Sequence, residues 1–241
     1  MKYRLICLFA FCAPLLAQEP NGNFVFLTPI QEATILARVQ VRAQEVKKRI
    51  GDSFVAGEEL ITFDDRVMRA EFEKARRTVH KAVAELKAQR ELFYQKVGAL
   101  TDVIAAEANL AIAEADFAKA REQLEACHIL APFKGRVADV YLHPFEVPGP
   151  NERMISLLDD SKLIAKVLID SDQLQTLSIG TKATLALKEL HTTVEGAVYK
   201  IGAAIDPSSS TVKVEVLIPN PDGQLCAGMS GIIEFTPEEV R

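Results

Sequence analysis

The chain has 241 residues, with 28 Lys+Arg against 33 Asp+Glu for a net charge of −5, and 49% of its residues are apolar. That composition excludes a disordered chain, and a mean hydropathy of +0.09 is too low for a polytopic membrane protein. The acidic balance, with 7% aromatics and no Trp, also excludes a nucleic-acid binder, which needs a basic footprint.

Residues 1–17 read as a secretory signal peptide. Lys2 and Arg4 form a positive start, and Leu5 to Leu16 is an apolar run of about a dozen residues. A comfortable membrane span needs roughly 20. The chain turns polar after Ala17, where cleavage is expected; retention as an N-terminal anchor is the alternative. Cys7 and Cys12 fall inside this segment and follow no lipidation pattern. The mature chain then keeps Cys127 and Cys226, read as two buried thiols rather than a disulfide.

From Phe24 to Phe63 the pattern is β. Residues 35–41 alternate apolar and polar, and Gly51-Asp52 and Gly57 mark turns between further short strands. At Asp64-Asp65 the period changes, and either residue suits a helix N-cap. No Pro or Gly interrupts the stretch to about Lys96, in which Phe72, Val79, Leu86 and Phe93 recur every seven residues. Gly98 breaks the run, and Thr101 is read as the N-cap of a second helix. There Val103, Leu110, Phe117 and Leu124 recur every seven, and Ala106, Ala113, Ala120 and Cys127 form a second series. Large residues on one seam and small ones on the other describe a tight helix pair. A join of about four residues makes the pair antiparallel, about 40–50 Å long at 1.5 Å per residue. A two-helix piece of a globular bundle is the alternative.

At His128 the β pattern returns. Gly135 to Tyr141 alternates, Val147-Pro148-Gly149-Pro150 is a turn, and Met154 to Asp160 reads as a strand and its stop. Two short β halves around a long helical insertion imply that the halves close on each other, since neither has enough strands for a core. From Lys162 to about Thr236, strands are expected at 163–169, 181–187, 194–201, 211–219 and 230–235, punctuated by Gly and by Asn220-Pro221-Asp222-Gly223. This is the pattern of a small all-β barrel.

Other chemistry is thin. His80, His128, His143 and His191 are scattered, with no i, i+4 pair and no Cys at metal spacing. Ser208-Ser209-Ser210 lacks a nucleophile-elbow context, Asp64-Asp65 and Asp159-Asp160 read as strand ends, and no phosphate-binding Gly loop occurs. No catalytic residue, metal site or cofactor is expected.

The order of parts resembles the periplasmic adaptor subunits, or membrane fusion proteins, of the HlyD and RND efflux type. The strongest stretch is Leu124-Glu125-Ala126-Cys127-His128-Ile129-Leu130-Ala131-Pro132-Phe133-Lys134-Gly135-Arg136-Val137. It is similar to the family's L-x-x-T-x-I-x-A-P-F-D-G-x-V link, with His128 and Lys134 as departures. Ile205-Asp206-Pro207, Thr211 to Val214, Asn220 to Leu225 and Gly228-Met229 resemble the family's β-barrel signature. The resemblance implies a mainly β fold: a lipoyl-like barrel-sandwich hybrid domain at 24–64 and 128–160, interrupted by an antiparallel coiled-coil hairpin at 65–127, then a β-barrel domain at 161–236. A lipoyl carrier would show a modified Lys on a tight turn; none stands there, so cofactor carriage is not expected. The resemblance further implies a tip motif, R-x3-L-x6-S, that docks TolC-type outer-membrane channels. Arg90, Tyr94 and Thr101 fall at that spacing.

The functional expectation is a non-enzymatic periplasmic adaptor, peripheral to the inner membrane. It would join an RND- or ABC-type transporter to an outer-membrane channel as a ring, expected to be a hexamer. An envelope scaffold or binding protein using the same hairpin without transport is the alternative. The chain ends at Arg241, soon after the barrel strands, so the further membrane-proximal domain of many RND-type adaptors is not expected.

Overall fold

The computed structural model describes residues 23–236; the expected signal peptide and its two cysteines lie outside them. The described chain is mainly β, with two helices. It divides into two compact units, one of residues 28–164 and 219–227, the other of 23–27, 165–218 and 228–236.

The first unit holds two small antiparallel sheets. In one, β4 (Glu59–Phe63) lies between β2 (Ala43–Val46) and β5 (His128–Leu130). In the other, β6 (Gly135–Val140) joins β3 (Ser53–Phe54) to β7 (Arg153–Asp170). Both contribute to one core: Ala43, Leu60, Ile61, Phe63 and Ile129 from the first, Phe54, Val137, Met154, Ile155 and Leu157 from the second. Each large apolar side chain fully withdrawn from water contributes about 1.5–3 kcal/mol before entropy is counted.

Here the structure departs from the alternation rule in two places. Residues 35–41 are not a continuous strand: β1 (Asn23–Leu36) ends at Leu36. Ala37 is nonetheless buried, and Val39 and Val41 pack on the core. The backbone there bonds a loop instead, with the Ala37 N–H donating to Glu152 O and the Asn151 N–H to Ala37 O. The alternation reports one buried face, which an irregular segment can also present. The second departure is at Asp159-Asp160, which does not stop β7; the strand runs on to Asp170. Asp160 is buried, and the Arg136 guanidinium pairs with its carboxylate, Nε donating at 2.5 Å. A partnered carboxylate can sit inside a strand where an unpartnered one would end it.

Between β4 and β5 the chain forms α1 (Arg66–Tyr94) and α2 (Leu100–Glu125), about 43 and 39 Å long at the helical rise. They run antiparallel, since Phe72 meets Phe117 at 5.1 Å between ring centroids while Arg90 meets Glu107. The buried positions are Ala82 and Leu86 on α1 and Val103, Ala106, Ala113 and Ala120 on α2. Alanines on one side let the helix backbones approach closely.

The helix starts differ from expectation. Asp65 occupies the N-cap of α1 but makes no side-chain cap bond, because its carboxylate is engaged by Arg69. Thr101 is not a cap: Ala99 holds that position in an extended conformation, and Thr101 lies inside the first turn. The tight turn explains the shift. Lys96 takes a left-handed φ of 61°, and the Val97 and Gly98 amides both donate to Leu92 O at 3.0 Å, which delivers the chain to α2 two residues early.

In the second unit, the order β1–β11–β8–β9–β10 links β1 with β11 (Ser230–Phe235), β8 (Lys182–Leu187), β9 (Thr193–Asp206) and β10 (Thr211–Pro219). β10 borders β7, and an additional β1–β7 pairing returns the order to its start, which is the connectivity of a barrel. Strict alternation marks the inward face: Val212, Val214, Val216 and Ile218 of β10 are all buried. The opening residues of β1 pair with β11, Phe24 opposite Ile232, across more than 200 positions of sequence.

Cys127 is buried, but Cys226 is exposed, so the expectation of two buried thiols holds for one only. Cys226 sits in the loop between β10 and β11, and such connections run over the surface because their backbone needs water. No disulfide joins the two.

Candidate functional site

The turn joining α1 and α2 presents an apolar surface to solvent. Tyr94 is 77% exposed and Val97 73%, with Leu100 and Ile104 each 55%. Leu92 and Phe93 are partly uncovered, and the Phe93 and Tyr94 rings lie 6.4 Å apart. Scattered apolar side chains are ordinary on a surface, whereas a group of six around one turn is a candidate contact surface. Gly98 makes the turn compact: a Cβ there would lie 3.1 Å from both Leu92 Cβ and Phe93 N.

The three sequence-derived site residues are distributed as follows. Arg90 and Tyr94, one helical turn apart, line a shallow groove with Val83, Leu86 and Leu110. Thr101 stands across the turn, exposed on the first turn of α2, and does not line that groove. Arg90 is also not a lone solvated cation: its Nη2 donates to Glu107 Oε1 at 2.7 Å across the helix pair. Both partners are about half exposed, so the pair contributes about 0–1 kcal/mol. Its larger effect is to hold the guanidinium over the groove.

Sequence reasoning missed Glu107, Val97, Leu100 and Ile104. The signal was present, since Val97, Leu100 and Ile104 are apolar yet stand off both seven-residue seams. Chemically, the tip offers apolar area ringed by Lys87, Arg90, Glu91 and Lys96, with no nucleophile beside a base. Among the described residues no cluster of three or more His, Cys, Asp or Glu could hold a metal ion, and no helix is long and apolar enough to cross a membrane.

Known proteins share the fold that carries this tip. Residues 165–239 match the model of the CusB-like β-barrel domain. Nodulation protein NolF of Rhizobium meliloti is 24% identical over 235 residues, covering 89% of this chain and 63% of NolF. Cobalt-zinc-cadmium resistance protein CzcB of Cupriavidus metallidurans is 22% identical, covering 78% of this chain and 39% of CzcB. The chain therefore spans less than two thirds of the length of either relative. Among solved structures, a MacA–MexA chimera carrying the Pseudomonas aeruginosa MexA α-hairpin domain is similar with a TM-score of 0.75 at 16% identity, covering 91% of this chain and 79% of that one. The membrane fusion protein Spr0693 of Streptococcus pneumoniae is similar with a TM-score of 0.68 at 20% identity, covering 90% and 98%. Residues 165–239 match the CusB-like β-barrel domain, and the chain that carries them has the fold of the membrane fusion proteins.

Proposed function

We propose that this chain is a non-catalytic periplasmic adaptor that links an inner-membrane transporter, of RND or ABC type, to a TolC-type outer-membrane channel. Residues 1–17 export it. The β segments 24–64 and 128–160 act as a lipoyl-like domain, the coiled-coil hairpin 65–127 reaches toward the channel, and 161–236 acts as the β-barrel domain.

The observation that carries this reading is the exposed apolar tip around Tyr94, held at the end of a helix pair about 40 Å long. One tip exposes only a few apolar side chains, and a stable interface buries roughly 1,000 Å² or more. On this reading a ring of copies, expected to be a hexamer, would multiply weak contacts into a firm attachment.

The test places a photocrosslinking residue at position 94 of the full chain in cells. Capture of an outer-membrane channel is expected, as is a higher cell content of some exported compound when the gene is deleted. Cobalt, zinc and cadmium, the ions in the name of CzcB, are the first compounds to assay. A monomeric chain that captures no channel sinks the adaptor reading, and export unchanged on deletion favours an envelope scaffold.

A further inference from the structure

We propose that Phe145 is a fixed knob that seats in an apolar groove at the root of α1 of a neighbouring copy of this chain. The knob presupposes the ring of copies that the adaptor reading expects, and it names the surface that would close it. Phe145 lies in the connection 141–152 between β6 and β7 and takes a left-handed φ of 70°. That region is disfavoured for a bulky side chain, so the surrounding bonds must hold it there. The Phe145 amide donates to Ala43 O at 2.8 Å, and the Ala43 amide donates to Glu146 O at 2.7 Å. Ala43 itself belongs to the buried core. The Glu146 carboxylate accepts from the His143 amide at 2.9 Å, and Pro144 and Pro148 stiffen the chain on either side. The ring held in this way is 70% exposed, and Val147 and Tyr141 of the same connection are also exposed. An aromatic side chain already fixed in water loses little freedom when a partner covers it, which is the property of an interface anchor.

The same unit carries a hollow of matching character. Val41, Val67 and Met68 line an open groove where the approach to β2 meets the first turns of α1, and Phe145 stands outside it. Val41 and Met68 back onto the core, while Val67 is 64% exposed. Arg42, Arg66 and Lys74 lie on the groove's edge against Asp64 and Glu71. Asp64 is engaged by Arg66, whose Nε and Nη2 donate to it at 2.7 and 2.6 Å, so Arg42 and Lys74 outnumber the remaining Glu71. The connection 141–152 carries Glu146 and Glu152 and no Lys or Arg. An acidic knob and a basic-edged groove attract each other, whereas two knobs or two grooves repel. A knob on one patch and a groove on another make a head-to-tail contact, which can repeat from copy to copy and close into a ring.

The test places an aromatic photocrosslinking residue at position 145 of the full chain in cells. Products of twice the chain's mass are digested and the joined peptide is sequenced; the crosslink should fall within residues 41–42 or 66–74. Phe145→Gly separates assembly from folding, because glycine takes a φ of 70° without strain. It should keep the native melting temperature or raise it, and lower the share of chain recovered as oligomer about fivefold or more. Val67→Asp, at an exposed helix position, should lower that share likewise and serves if Phe145→Gly fails to fold. A crosslink to another part of the second copy, capture of a different protein, or assembly unchanged in both variants overturns the knob and leaves the ring standing. A chain that is monomeric in cells overturns both.

Discussion

Asn220 is a buried polar side chain whose amide is used on both sides. Its Nδ2 donates to Asp160 O at 2.8 Å and to Leu225 O at 2.9 Å, while its Oδ1 accepts from the Leu225 amide at 3.1 Å. Asn220→Ala would strand those buried backbone groups, at about 1–3 kcal/mol each where water cannot enter. We expect a loss of about 2–4 kcal/mol, seen as a lower urea midpoint with an unchanged slope. Gly135 is constrained differently. A Cβ there would lie 2.1 Å from Leu158 O, so Gly135→Ala must push β6 from β7 and should lower the melting temperature by several degrees. Burial pushes the Cys127 thiol up, whereas Cys226 is exposed. Peptide mapping after maleimide treatment at neutral pH should find Cys226 labelled first, with Cys127 reacting only once denaturant is added. These residues show where reading a sequence stops. Asn220 stands in an Asn-Pro-Asp-Gly turn and looks like turn chemistry, yet its burial depends on Asp160, sixty positions earlier. His128 stood out as a departure from its motif, but Glu59, 2.6 Å from its ring, looked like a plain strand residue.

At the scale of elements, the two helices follow the seven-residue recurrences closely because burial, not propensity, sets their pattern. The most buried positions of α2 are Val103, Ala106, Ala113 and Ala120, the last three on the small-residue series. Ala113→Leu should overfill the seam and cost about 1–3 kcal/mol. Leu86→Ala, which empties part of the buried Leu86–Val103–Ala106 cluster, should cost about 2–3 kcal/mol. Calorimetry of the full chain with each variant checks both. The strands were less legible than the helices, for a physical reason. Alternation registers which face is buried, and both a loop against a core (37–41) and a strand through a paired aspartate (159–160) satisfy or break that rule without changing class. The pairing of Phe24 with Ile232 leaves no local trace at all.

At the scale of the molecule, the tip separates function from stability. Tyr94 is largely exposed, so Tyr94→Asp should leave the melting temperature within about a degree. It should nonetheless abolish capture of a channel and raise the cell content of the exported compound. A matched loss of stability would instead make the tip structural. The alanine seam has a further consequence, for length. Because the seam repeats every seven residues, removing seven from each helix shortens the arm by about 10 Å and turns its end by only about 20°. Removing five from each would swing Tyr94 round by about 140°, to the opposite side. The reach of this arm is therefore quantised: under the proposed adaptor role, a channel at a different distance would be met only in steps of that size.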